Sequence, residues 1–255
     1  MKIVRYNSDG RVSFGALEGA SITPLDGALD DLRPIPGVKP LAADAIAMLA
    51  PIAPGKIVAV GVNYRDHALE MGRQLPEEPL LFIKPSTAVI ASGAAIIYPP
   101  QSKLMHFEGE LAIVISRTAT RVAPERARGY VLGYTCMNDV TARDLQRKDV
   151  QFTRGKGFDT FAPLGPVIET AIANPDDLAL ATRLNGEVRQ RSRTSNLIFK
   201  CDFLVSYISH IMTLLPGDVI STGTPSGVGE MKPGDTVEVE IEKIGCLRNI
   251  VAAPR

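Results

Sequence analysis

Two glutamates separated by one glycine open an apolar run at residues 106–116, HFEGELAIVIS. On a β-strand, side chains alternate between faces, so Glu108 and Glu110 point the same way, with His106 in the same parity. Their Cα atoms then lie roughly 6.5–7 Å apart. Two ionised carboxylates at that spacing repel, and burial adds a desolvation cost. Such a pair is tolerated if it faces water, if one member keeps a proton, or if a cation sits between them. Most Glu-x-Glu pairs are solvated strand faces, and EVEIE at 238–242 reads as one. At 108–110 the following LAIVI reads as buried, and Gly109 leaves room for close approach. A third carboxylate, Asp139 in YTCMNDVTARD, stands at the end of a second predicted strand, before a helix. Three carboxylates with open positions suit a hard divalent cation such as Mg²⁺. Zinc would ask for Cys or His at ligand spacing, which this chain lacks.

The elements that must position these groups are many short strands and a few helices. KIVRY, RVSFGAL and SITPL read as strands joined by the turns NSDG and EGAS. LAADAIAMLA (41–50) has helical periodicity, and PIAPGK (51–56) then breaks the pattern. That break predicts a boundary between a small β-rich N-terminal unit, 1–54, and a main domain, 55–255. The main domain opens with the strand KIVAVGVNY, then a short helix over 65–72 ended by Gly72. PLLFIKP, ELAIVIS and LGYTCMNDVT read as strands. APERARGYV begins a helix with Pro124 in its first turn, and TARDLQRKDV reads as a second. ALATRLNGEVRQRS is a hairpin with Asn185-Gly186 at its turn. KCDFLVSYISHIMTLL (200–215) is an amphipathic helix, and two Pro-Gly-Asp turns each launch a strand. The absence of regular βαβ alternation predicts an α+β, roll-like fold.

Composition excludes several classes. Lys+Arg and Asp+Glu number 28 each, giving no net charge and no basic run for nucleic acid. The arginines at 183, 189, 191 and 193 are diluted by neutral and acidic residues and read as a solvated hairpin. Three isolated cysteines form no disulfide framework and point to a reducing compartment, with the cytoplasm as the expectation. The longest uncharged stretch, 85–102, is broken by prolines and a glycine and does not read as a membrane span.

The motifs GVNYRDHALE, LFIKPS, HFEGELAIVI, NDVTARDLQ, GKGFDTFAPLGP and STGTPSGVG, in this order from about residue 56 onward, resemble the fumarylacetoacetate hydrolase family. The resemblance implies a mixed β-roll, barrel-like domain, a homodimer, and Mg²⁺ or Mn²⁺ held by Glu108, Glu110 and Asp139. It also implies a 2-oxo or 2,4-dioxo acid as substrate. His67 and Glu70 match the family's lid pair for proton and water handling, and Lys156 matches the lysine near the reacting oxygen. Arg143 and Gln146 match substrate-carboxylate contacts, and Thr222 and Thr224 match the loop closing the pocket. A lid over residues 65–75 is expected to close on substrate.

The residues suit that chemistry on their own terms. A 2-oxo acid chelates a divalent ion through its carboxylate and keto oxygens, and the ion stabilises the developing enolate. His67 and Glu70, three apart on a helix, can touch and form a His–carboxylate base. Lys156 supplies a fixed positive charge for an oxyanion. Each has a plainer reading: His67 as a packed histidine, Lys156 as a loop lysine, and Arg143 as an ion-pair partner of Asp139 or Asp144. Lys84 reads equally as structural or as pocket-lining. The leading expectation is a Mg²⁺-dependent hydrolase cleaving a C–C bond of an acylpyruvate-type 2,4-dioxo acid. The alternatives are an isomerase or decarboxylase of a hydroxymuconate-type diacid or oxaloacetate, and a non-catalytic ligand-binding protein.

Overall fold

The computed structural model describes residues 1–70, 72 and 74–254. Its strands form three sheets, of thirteen, five and three strands, none of which closes on itself. The largest runs from the N-terminal strands 21–26, 11–18 and 2–8 through 162–169, 131–138, 109–115, 219–221 and 57–61 to the edge strand 80–84. The N-terminal strands therefore continue the main sheet, through Ile3 opposite Ile168. The second sheet carries 95–97, 245–252, 236–241, 179–184 and 187–193. The third joins 141–142, 105–107 and 229–231. Four α-helices, α1 Arg65–Glu70, α2 Arg143–Lys148, α3 Thr153–Lys156 and α4 Cys201–Ile211, and four short 3₁₀ segments complete the described elements. No helix among the described residues is long and apolar enough to cross a membrane.

The strand Gly109–Ile115 is buried along its whole length because both its faces are covered. Leu111, Ile113 and Ile115 enter one apolar cluster, together with Leu204, Val205 and Ile208 of α4. Ala112 and Val114 enter another with Ile3, Ile57 and Val219. Burying each large aliphatic contributes about 1.5–3 kcal/mol, so this strand is anchored from both sides before any polar group is placed. Gly109 lies where the five-stranded sheet crosses: an added Cβ would stand 2.1 Å from Thr182 Oγ1 and 3.3 Å from Val239.

The structure departs from the sequence reading at several points. Residues 106–116 are not one strand. Met105–Phe107 belongs to the three-stranded sheet, Gly109–Ile115 to the main sheet, and Glu108 is the joint where the chain changes sheets. Residues 41–50 form no α-helix, only a 3₁₀ turn at Ala43–Ala45. Leu41–Ala42 pairs with strand 21–26 and Ala47–Leu49 pairs with strand 2–8, so pairing with the edges of the N-terminal strands overrides the helical period. Pro124 does start a helix, but of 3₁₀ type, over Pro124–Tyr130. The helix at 200–215 ends at Ile211, because Leu214 is drawn into a bridge with Ala119. The Asn185-Gly186 hairpin forms with both turn residues at positive φ (54° and 82°), as a primed turn requires. Of the expected lid, α1 covers 65–70, and positions 71 and 73 lie outside the described residues.

Candidate active site

Glu108, Glu110 and Asp139 are buried, and one oxygen of each lies within 4.8 Å of the others. The main sheet brings them together. Gly109–Ile115 runs antiparallel to Val131–Asn138 with Gly109 opposite Asn138, so the start of one strand meets the end of the other. The joint at Glu108 is fixed by backbone amides: Glu108 N–H donates to Asn138 Oδ1 (2.9 Å), and Asp139 N–H donates to the Glu108 carbonyl (2.8 Å). Glu110 Oε2 accepts from Ser221 Oγ (2.5 Å) and from the Gly223 amide (2.8 Å). Its Oε1 receives no donor among the described residues.

Three cations face the three acids. Lys156 Nζ donates to Glu108 Oε2 (2.7 Å) and Asp139 Oδ2 (2.6 Å). Lys84 Nζ, fully buried, donates to Asp139 Oδ1 (2.6 Å) and to the carbonyls of Lys156 (2.6 Å) and Val140 (3.2 Å). Arg143 is ion-paired with Glu108, rather than with Asp139 or Asp144, and donates to Gln146 Oε1 (2.6 Å). Lys84 thus ties the strand Leu80–Lys84 to both the Asp139 carboxylate and the end of α3, a bracing role outside the cavity.

The titration behaviour follows from these neighbours. Burial alone raises the Glu108 carboxyl, but Lys156 and Arg143 outweigh it and hold the group well below the usual carboxylate range. Glu110 is pushed up to about 8, by burial first and then by the charges of Asp139 and Glu108. Burial lowers Lys84. The same burial acts on Lys156, yet the carboxylates of Asp139 and Glu108 carry it above its ordinary value. His106, beside Arg143, is lowered to about 4 by burial and by that guanidinium, so it stays neutral near pH 7.

A resident Mg²⁺ or Mn²⁺ fits this donor set. The ligands are all carboxylate oxygens, the preferred donors of hard divalent ions. A buried carboxyl facing two others, with one oxygen free of protein donors, is the group a cation would relieve.

A cavity of about 540 Å³ opens over the three acids. His67, Glu70, Lys156, Arg143, Gln146 and Thr224 all line it. His67 is buried on α1, and its Nδ1 lies 3.0 Å from Glu70 Oε2, so the expected dyad is assembled. Glu70 also accepts from the Gly227 amide (3.2 Å), which ties α1 to the loop after strand 219–221. Asp66 Oδ2 accepts from Ser192 Oγ (3.0 Å) and holds the start of the same helix. Thr224 Oγ1 donates to the Gly109 carbonyl (2.9 Å). Thr222 does not line the cavity. Its hydroxyl is buried and donates to the Leu111 carbonyl (2.9 Å), so it ties two strands together and is withdrawn as a substrate contact. Sequence reasoning missed Ser221, which stands beside Thr222 in STGTPSG and orients Glu110. It also missed Arg147, one turn beyond Arg143, which lines the same cavity.

Comparison with known proteins places these residues in context. The family model "Fumarylacetoacetate (FAA) hydrolase C-terminal" matches residues 56–252, and "Rv2993c-like, N-terminal" matches residues 1–51. A protein of Archaeoglobus fulgidus is 54% identical over 96% of this chain and 94% of its own length. The mitochondrial oxaloacetate tautomerase Fahd2a of Rattus norvegicus is 41% identical over 81% of this chain and 69% of its own. Among solved structures, 2-hydroxyhepta-2,4-diene-1,7-dioate isomerase from Mycobacterium marinum superposes with a TM-score of 0.92 at 42% identity, covering 99% of this chain and 98% of that one. Fumarylpyruvate hydrolase from Pseudomonas aeruginosa, in complex with Mn²⁺ and pyruvate, gives 0.74 at 35% identity over 80% and 91%.

Proposed function

The chain belongs to the fumarylacetoacetate hydrolase family, and on that premise we propose that it is a divalent-metal-dependent enzyme that forms the enolate of a 2-oxo acid. The observation that carries this reading is the convergence of an all-carboxylate ligand set and a His67–Glu70 dyad on one cavity. Glu108, Glu110 and Asp139 would hold Mg²⁺ or Mn²⁺. When bound, the ion supplies a Lewis acid for the 2-oxo oxygen.

The chain's own residues account for the rest. Three buried carboxylates already face three cations, so a divalent ion adds two positive charges. That surplus favours a dianionic substrate, such as a dicarboxylate, or the enolate of a monocarboxylate. Arg143 and Gln146 orient its carboxylate from α2. Lys156, held between Glu108 and Asp139, keeps its charge beside the oxygen on which negative charge develops. His67 removes the proton next to the carbonyl, and Glu70 fixes the imidazole and stabilises its protonated form. Val60, Leu80, Phe82 and Phe152 line the cavity with apolar surface and keep water from competing for these charges.

Tautomerisation or isomerisation is complete once the proton returns at another atom, and the relatives named for those reactions support this outcome. The second reading is hydrolysis of the C–C bond of an acylpyruvate-type 2,4-dioxo acid. It is favoured by the assembled dyad, since half-exposed Glu70 leaves His67 with access to a water. There, water deprotonated by His67 attacks the distal carbonyl, and the bond breaks to give a carboxylic acid and the enolate of pyruvate. The test is to follow oxaloacetate enol–keto exchange and fumarylpyruvate cleavage with Mg²⁺ and with chelator. Metal-dependent turnover of either substrate selects its outcome, and loss of neither rate on chelation would refute the metal reading. The same assays in a Glu70→Gln variant test the dyad, on which both readings rely. Hydrolysis should fall by about two orders of magnitude, the size of a general-base contribution.

A further inference from the structure

The cavity is larger than a four-carbon acid needs, and its polar groups are sorted by depth. The three acids and Lys156 form the floor, and α2 forms one wall. Residues 143, 146 and 147 stand at i, i+3 and i+4, so their side chains leave one face of that helix. Arg143 is half-buried and bonded at the floor to Glu108, whereas Arg147 is exposed at the outer end of the same wall. Four residues of helix separate them by about 6 Å along the axis.

The three lining cations differ in what they hold. Lys156 and Arg143 are ion-paired with site carboxylates. Arg147 makes no ion pair or side-chain hydrogen bond with any described residue, although acids stand close by in sequence. Asp149 is taken by Arg154 through two hydrogen bonds (2.8 and 2.6 Å). Asp144 is taken by Ser102 Oγ (2.6 Å) and the Lys103 amide (2.9 Å). The bonds of Asp144 also fasten α2 to the chain before strand 105–107, and α3 packs so closely that a Cβ on Gly155 would lie 3.0 Å from Gln146. Arg147 is therefore an uncommitted guanidinium on a fixed helix, lining the cavity above the three acids and Lys156. Between floor and mouth, Leu80, Phe82 and Phe152 offer apolar surface for a carbon chain.

We propose that Arg147 is a specificity residue that binds the second carboxylate of a 2-oxo dicarboxylic acid whose spacer is longer than the single methylene of oxaloacetate. The proposal rests on the 2-oxo acid reading above. A guanidinium offers paired donors that match a carboxylate bidentately, and a charge-assisted pair at the cavity mouth discriminates against an apolar chain end.

The test compares 2-oxoadipate with 2-oxohexanoate, which share six carbons and the 2-oxo acid head and differ only in the distal carboxylate. Calorimetric titration into the Mg²⁺-loaded protein should give at least tenfold tighter binding of 2-oxoadipate. In Arg147→Met that ratio should collapse to within twofold, and Arg147→Lys, which keeps the charge, should retain part of it. A wild-type ratio near one, or a ratio unchanged in Arg147→Met, overturns the assignment while leaving the 2-oxo acid reading standing. Failure of both acids to bind the wild-type protein overturns that reading, and this proposal with it.

Discussion

Lowering the pH from 8 to 6 should cost the protein about fiftyfold in Mg²⁺ or Mn²⁺ affinity, and the cause is one side chain. Glu110 is buried against Glu108 and Asp139, and its carboxyl is pushed up to about 8 before any ion arrives. Both protein donors to this carboxyl, Ser221 Oγ and the Gly223 amide, act on Oε2. The proton therefore resides on Oε1, the oxygen left for the ion, and metal binding must expel it. Affinity falls about fivefold from pH 8 to 7 and about tenfold from 7 to 6, where nearly one proton is released per ion. Isothermal titration at pH 6, 7 and 8, in two buffers of different ionisation enthalpy, reads both the affinity and the proton count. Glu110→Gln should lose most of the affinity and all of the proton release. Affinity constant within threefold from pH 6 to 8, or no proton appearing in the buffer, would show that Glu110 is already ionised or is not a ligand. The same group sets a stability trend in the metal-free protein. Its folded value lies above the ordinary 4.5, so the native state binds more protons than the unfolded chain between the two. Stability from this group is full below about 4.5, declines as pH rises, and is lost above about 8. Mg²⁺ should flatten the decline in thermal melts.

Three further outcomes follow from the same geometry. Lys156→Met leaves Glu108 and Asp139 short of a buried counter-charge; removing one partner of a buried pair costs about 3–5 kcal/mol. Urea unfolding without metal should show this loss, and Mg²⁺ should recover much of it while turnover stays low. Thr222→Val should leave substrate KM unchanged and cost about 1 kcal/mol through the lost hydrogen bond; a raised KM with intact stability would restore Thr222 as a substrate contact. Asp66→Asn weakens the Ser192 hold on the start of α1, so limited proteolysis of residues 65–75 should quicken, and quicken less with oxalate and Mg²⁺ bound.

Much of the site was legible because its chemistry is local in sequence. His67 and Glu70 share one short helix, and Arg143 and Gln146 share another, so helical spacing alone places each pair together. The convergence of Glu108 and Glu110 was reached from strand parity, although Glu108 is in fact a joint between sheets; the acids meet because the chain bends there, with Asn138 holding the bend. Information in long-range pairing was not legible. Residues 41–50 have a helical period but are claimed by the free edges of strands 2–8 and 21–26. Thr222 and Ser221 are adjacent hydroxyls, and only the pairing of strand 219–221 with 109–115 decides that Ser221 meets Glu110 and Thr222 meets Leu111. Arg147 is not legible in the sequence, because an exposed arginine is ordinary until its neighbours are known to be engaged elsewhere.

Gly109 carries no chemistry, yet it has less freedom to vary than the acids beside it. Its amide is held by Gln190 Oε1 (3.0 Å) and its carbonyl by Thr224 Oγ1 (2.9 Å). A single methyl at this position would run into Thr182, which is wholly buried on the crossing sheet. Glu110, bonded to a hydroxyl and an amide rather than to a cation, can be exchanged for glutamine with the fold kept, at the expense of function alone. No such exchange exists at 109, where every alternative residue must push one sheet away from another. In a saturation-mutagenesis survey scored by activity, position 109 would register as intolerantly as Glu108 and Glu110 and could be mistaken for a participant in the reaction. Scoring the same library by soluble yield would part Gly109 from Glu110: Glu110→Gln accumulates normally, and replacements of Gly109 are depleted. The spacing of the two glutamates is thus an architectural quantity, fixed by a residue at which the two sheets approach too closely for a side chain.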